Sequence, residues 1–241
     1  MVWAMRTSLY AIRALHSNAK HSFIPRKEFP KYNVILSNFQ GHHQKALTRF
    51  RHLAPQIDLV IELRDARAPV ATSNLLFDHV LGGKEKIVLY TKQDLLSLSK
   101  KALADLHSRS RFMMIDSRSK ADAKAVLELV KAKYYEMTPR PPLGLRLMVI
   151  GMPNVGKSTF VNTLRQTGYQ YSSISSKRSN VAKTGGQPGV TRATSEMIRI
   201  CEDPDRLMHD TPGVFLPSVK NAETMITLAL IGCVLPTLVD P

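Results

Sequence analysis

Cysteine is scarce in this chain of 241 residues: Cys201 and Cys233 are the only two. Two thiols cannot build a disulfide framework or a four-cysteine zinc cluster, so they read as ordinary thiols in a reducing compartment. Long apolar runs are missing as well. The nearest candidate, Met225 to Val239, is interrupted by Pro236 and falls short of the ~18 residues that span a bilayer. It reads as a buried amphipathic helix. Acidic side chains are few: 19 Asp and Glu stand against 34 Lys and Arg, giving a formal net charge of +15 and a pI near 10. The imbalance is sharpest at the N-terminus, where residues 1–55 carry nine Lys and Arg and one acidic residue, Glu28. Such a chain favours polyanionic partners, RNA above all. The remaining composition is globular, 44% hydrophobic and 22% charged, and the length suits one α/β domain with extensions.

The first 27 residues contain no Asp or Glu, and carry Arg6, Arg13, Lys20, Arg26 and Lys27 among Ser, Ala and Leu. Leu9, Ile12 and Leu15 fall at helical spacing. This matches an organellar transit peptide better than a secretory signal, which needs an uninterrupted apolar core; the alternative is a basic disordered leader that holds RNA. The division expected is therefore a leader over 1–30 and a folded domain over 31–241.

Strand and helix signals alternate through that domain. Short β-branched apolar runs predict strands at 57–63, 86–90, 112–115 and 145–150, with two more near 196–201 and 206–209 forming a hairpin about Glu202-Asp203-Pro204-Asp205. Helices are expected over 73–82, 95–108, 119–136 and from Lys157 onward. Thr138-Pro139-Arg140-Pro141-Pro142 is a linker, since neither helix nor central strand accepts that many prolines. Residues 168–189, rich in Ser, Gly, Gln and Lys, read as a loop. The alternation predicts an α/β fold with a mostly parallel sheet covered on both faces, whose ligand sits at the carboxyl ends of the strands.

Three motifs fall at those ends. Gly151-Met152-Pro153-Asn154-Val155-Gly156-Lys157-Ser158 follows a strand and opens a helix, the context of a phosphate-binding loop. Its backbone N–H groups can close on phosphate oxygens at a helix N-terminus. Lys157 is the candidate for the β/γ-phosphates, Ser158 for a magnesium ligand, and Asn154, Val155, Gly156 and Thr159 line the same loop. Asp210-Thr211-Pro212-Gly213 ends a later strand, placing the Asp210 carboxylate beside the metal and the Gly213 N–H at a γ-phosphate. Thr91-Lys92-Gln93-Asp94 ends an earlier strand. An Asp94 carboxylate accepts from the N1 and N2 donors of guanine, which adenine does not offer in that arrangement, and the Lys92 stem can cover the base face. That opposes an ATPase reading. Thr91 replaces the usual asparagine. Asp116-Ser117, at the end of the next strand, sits where backbone would meet guanine O6, and Thr191 is the candidate for a switch threonine completing the magnesium shell.

The order is unusual, because the base motif precedes the phosphate loop. In that order the chain resembles the circularly permuted ribosome-biogenesis GTPases of the YlqF/RbgA type, mitochondrial branch, over roughly residues 38–241. Asp65-Ala66-Arg67-Ala68-Pro69 is similar to that family's DARxP segment, and Gly41-His42 to its PGH element with Gln40 in place of proline. Ala182-Lys183-Thr184-Gly185 and Pro188-Gly189-Val190-Thr191 are similar to its first switch region.

The resemblance implies a P-loop GTPase three-layer fold, circularly permuted, binding GTP with Mg²⁺. It further implies that Val214 stands where Ras-like proteins carry a catalytic glutamine, and that a histidine of the PGH element substitutes; this maps to His42, with His43 adjacent. Asn154 matches the residue linked to potassium stimulation, so K⁺ is a third expected ligand. Partners implied are the mitochondrial large ribosomal subunit and its rRNA, met by a monomer in the matrix, with peripheral contact to the inner membrane left open. The rival reading is a GTP-binding RNA chaperone or scaffold whose hydrolysis is incidental or lost. Family members continue into a helical C-terminal domain beyond the point where this sequence stops, and 168–181 reads as an insertion before the first switch.

Overall fold

In a computed structural model of the chain, residues 34–95, 103–104, 111–171, 197–202 and 205–239 are described. Six strands form one sheet in the order β3-β2-β1-β4-β6-β5. They are β1 (Leu59–Asp65), β2 (Lys86–Thr91), β3 (Arg111–Met114), β4 (Leu145–Gly151), β5 (Ile198–Glu202) and β6 (Asp205–Asp210). Four of the five pairings are parallel, and β5–β6 is the antiparallel hairpin the sequence predicts.

The strands read as continuous apolar runs because both faces are covered. Leu59, Ile61 and Leu63 of β1 join Leu145, Leu147 and Val149 of β4 in one core. Against that face pack α3 (Lys120–Glu136), through Ala123, Val126, Leu127 and Val130, α4 (Lys157–Tyr171), through Phe160, Val161 and Leu164, and α5 (Ala222–Leu230), through Met225 and Leu228. The alternate residues Val60, Met148 and Ile150 point the other way, into a second core with α1 (Gly41–Leu53) and α2 (Leu76–Leu81). Helix, sheet and helix make three layers. Glu62 is buried in the middle of β1 and lies between Arg64 at 2.7 Å and Lys86 at 2.8 Å, a pairing that burial demands.

Several expectations are corrected. A helix over Gly41–Leu53 was not anticipated. The helix expected over 73–82 is shorter, because Asn74 turns the chain ahead of it: its Oδ1 accepts from the Leu76 N–H at 3.0 Å and its amide donates to the Val214 carbonyl at 3.0 Å. The apolar run Met225 to Val239 is not one helix. α5 stops at Leu230, Gly232 takes φ +80°, and only a short 3₁₀ turn follows at Pro236–Leu238. The Gly232 and Cys233 N–H groups close back on Ala229 and Leu228, the geometry of a helix C-terminus at glycine. α4 extends to Tyr171, into the segment read as loop. The helix expected over 95–108 lies largely outside the described residues, as do Thr191 and the first-switch segments.

Candidate nucleotide site

The ends of β1, β2, β4 and β6 converge on the loop between β4 and α4. Thr91, the last residue of β2 and fully buried, donates its hydroxyl to the Val155 carbonyl at 2.6 Å, and the Arg64 carbonyl lies 3.1 Å away. The shorter side chain therefore still joins the base motif to the phosphate loop. Lys92 takes φ +59° and donates Nζ to the Asn154 carbonyl at 2.9 Å. Gln93 reaches sideways, its amide donating to Asp122 at 2.8 Å, and Asp122 also accepts from the Asp116 N–H at 2.7 Å. The base motif and Asp116 are thus fixed to the start of α3, leaving Asp94 exposed in its 3₁₀ turn. Ser117 is buried against the phosphate loop. A Cβ built on Gly156 would lie 3.0 Å from its Oγ, and that hydroxyl has no hydrogen-bond partner among the described residues.

On the phosphate side, Lys157 opens α4 and is buried, with Nζ donating to the Met152 carbonyl at 2.7 Å. Burial pulls its pKa down to about 8, partly opposed by Asp210 and Cys233. Asp210 is buried at the end of β6; burial raises its pKa while Lys157, a hydrogen bond from the Ser158 hydroxyl and the Thr211 N–H work the other way. Two hard oxygen donors thus meet, a carboxylate and a hydroxyl, which suits Mg²⁺. No group of three or more metal-binding His, Cys, Asp or Glu occurs among the described residues. Gly213 comes so close to the loop that a Cβ there would lie 2.5 Å from the Pro153 Cα; any side chain would part the switch motif from the phosphate loop. Thr159 lies in the first turn of α4, its carbonyl accepting from Thr163 at 3.0 Å.

A network the sequence did not disclose ties these parts together. Asp65 is fully buried and receives Arg67 through Nε at 3.0 Å and Nη2 at 2.8 Å, with Lys92 at 2.7 Å. Burial opposes its charge, but these cations hold its carboxyl below the usual range. Arg67 also donates to the Ile231 carbonyl at 3.1 Å, and the Asn154 amide donates to the Gly232 carbonyl at 2.8 Å. Two carbonyls of the turn that follows α5 are therefore met by the DARxP-like segment and by the phosphate loop. Cys233 lies in this cluster, its thiol pushed up to about 12 by burial. The only sequence signal was the Asp65–Pro69 segment itself, which names the residues and not their partners.

The two histidines separate. His43 is buried and its Nδ1 accepts from the Gln40 N–H at 3.0 Å, closing the N-terminus of α1; burial, then the neighbouring His42, lower its pKa to about 4. His42 is half-buried, its ring 4.0 Å from that of His43. Val214 is buried in the second core with Ala46, Leu47 and Phe50 of α1.

Comparison with known proteins agrees with the fold. Residues 146–234 match a family model described as a 50S ribosome-binding GTPase. The chain is 39% identical to mitochondrial GTPase 1 of Saccharomyces cerevisiae, over 98% of this chain and 69% of that protein. It is 35% identical to mitochondrial ribosome-associated GTPase 1 of Mus musculus, over 83% of this chain and 62% of that one. Short integuments 2, mitochondrial, of Arabidopsis thaliana is 32% identical, with 92% and 58% covered. The chain thus spans about two thirds of the length of these relatives.

Proposed function

Because the chain belongs to the mitochondrial GTPase 1 family, we propose that it binds GTP with Mg²⁺ and hydrolyses it as an assembly factor of the mitochondrial large ribosomal subunit. It acts as a monomer in the matrix, docks on rRNA in the GTP form and leaves after hydrolysis. The observation that carries this reading is the junction of base motif and phosphate loop, made by Thr91 on the Val155 carbonyl at 2.6 Å and Lys92 on the Asn154 carbonyl at 2.9 Å. The motif order is read as a circular permutation, and the placement of β2 and β4 on either side of β1 supports it. Among the described residues no helix is long and apolar enough to cross a membrane; association with the inner membrane would be peripheral.

Each side chain has a part. Asp94 selects guanine through its two donors, and Ser117 and the Asp116 backbone flank the base. Lys157 exchanges the Met152 carbonyl for phosphate oxygens, a better partner for a buried ammonium. Ser158 and Asp210 hold the metal, with Thr191 as a further ligand and K⁺ near Asn154. Held by these oxygens, Mg²⁺ would supply positive charge against the phosphates. Val214, aliphatic and buried, cannot orient water, so His42 is assigned that task. With no glutamine at that position, turnover is slow until the ribosome adds what is missing.

GTP hydrolysis in potassium buffer, with and without large mitochondrial subunits, tests this. A rise of about tenfold or more is expected. Tight GTP binding with no hydrolysis under either condition would favour the scaffold reading instead.

A further inference from the structure

The exposed face of α1 carries only basic and neutral side chains. Its apolar side chains Ala46, Leu47, Phe50 and Leu53 are buried, while Lys45, Arg49, Arg51 and His52 are exposed. No Asp or Glu lies between Glu28 and Asp58. Among the described residues none of Lys45, Arg49 and Arg51 takes part in an ion pair, whereas Asp78 on the neighbouring α2 is held by Lys86 at 2.7 Å. Lys45, Arg49 and His52 are spaced i, i+4, i+7 and so line one stripe about 10 Å long. An isolated charged face is usually only solvated. This one differs in what lies beneath it: the same helix buries its apolar face in the core that contains Val214, the residue after Asp210-Thr211-Pro212-Gly213, and carries His42 in its first turn.

We propose that the exposed face of α1 is an RNA-docking surface, gripping phosphates through Lys45, Arg49 and Arg51, and that rRNA bound there acts on the switch through α1. Cations without internal partners are the ones that gain most from displacing counterions on a nucleic-acid backbone. Because α1 shares one close-packed core with Val214, a load on its outer face is transmitted to its inner face and to the placement of His42. The inference rests on the reading of a ribosome-stimulated GTPase; it adds where the stimulus enters.

The test uses the whole chain with Lys45→Gln, Arg49→Gln and Arg51→Gln combined, substitutions that keep good helix formers on an exposed face. A second variant, Arg49→Lys with Arg51→Lys, keeps the charge, and a third replaces Arg6, Arg13 and Lys20 by Gln. Binding to a structured RNA hairpin is followed against salt, and GTP hydrolysis is measured with and without large subunits. The triple-Gln variant is expected to bind RNA about tenfold more weakly, with a salt slope shallower by about two to three. Its unstimulated hydrolysis stays at the wild-type rate and its stimulation is lost, while the Lys variant retains both. Full stimulation of the triple-Gln variant, or loss of RNA binding only in the 6/13/20 variant, would overturn the proposal. So would unchanged RNA binding with lost binding to vesicles of anionic lipid, which would assign the face to a membrane. Absent hydrolysis in the wild type under all conditions would instead strike the parent reading, and the hairpin salt slope would still decide the docking surface.

Discussion

Thr91 occupies a place where an asparagine amide could make two kinds of bond, and the hydroxyl keeps the one that matters for assembly. It reaches the Val155 carbonyl in the phosphate loop and lies within reach of Arg64 in β1. Thr91→Val, nearly isosteric, leaves buried carbonyls unsatisfied. Loss of such a bond costs about 1–2 kcal/mol. GTP should therefore dissociate about tenfold faster, measured by stopped-flow with a fluorescent analogue; an unchanged rate would show that the junction does not hold the nucleotide. Asp94 is the second test at this scale. Asp94→Asn should weaken GTP and favour xanthosine triphosphate, whose base offers an acceptor where guanine offers a donor. Competition binding that still ranks GTP first would discredit the base assignment. Most of this site was legible, because a phosphate loop, a base motif and an Asp-Thr-Pro-Gly turn are local patterns. The Asp65–Lys92 pair and the Arg67 and Asn154 bonds to α5 were not, since each joins residues far apart in sequence and none has a local spacing to betray it.

α1 shows how an element escapes a sequence reading. Ala46, Leu47, Phe50 and Leu53 have helical spacing, yet the segment opens on Gly41, has Gln40 rather than Ser, Thr or Asp at its start, and falls in the basic stretch 1–55, whose charge draws attention before its periodicity does. The cap comes from His43, whose ring accepts from the Gln40 N–H. That device titrates. The folded pKa, about 4, lies below the ordinary 6.5, so the folded state binds fewer protons than the unfolded one between those values. Stability contributed here is complete above pH 6.5 and is lost as pH falls through about 4. His43→Gln places the side chain of a capping box at the same position and removes the titration. Thermal melts from pH 7 to pH 4 should show a steeper loss for the wild type than for this variant; parallel curves would mean the ring is not neutral in the fold. α5 fails in the opposite direction. Its apolar run reads as a longer helix than it forms, and the turn at Gly232 that ends it is held by Arg67 on the Ile231 carbonyl and Asn154 on the Gly232 carbonyl.

For the molecule as a whole, strand–helix alternation made the covered parallel sheet legible, while the order β3-β2-β1-β4-β6-β5 emerges only from which strands pair. That order puts Asp65 of β1 between the base motif of β2 and the phosphate loop of β4, so one buried carboxylate touches Lys92 on one side and Arg67 on the other. Arg67 then holds the end of α5, the helix that follows the switch motif. Nucleotide drawn to Lys92 and the phosphate loop should accordingly stiffen the Leu228–Cys233 turn at a distance. Hydrogen exchange is the readout: adding a non-hydrolysable GTP analogue should slow exchange at residues 91–94 and at 228–233 together. In Arg67→Ala the first protection should persist and the second fall by about tenfold, the worth of one charge-assisted hydrogen bond. Equal protection of 228–233 in both proteins would mean that the phosphate loop alone, through Asn154, carries the coupling, and that Asp65 serves only to bury a charge at the end of its strand.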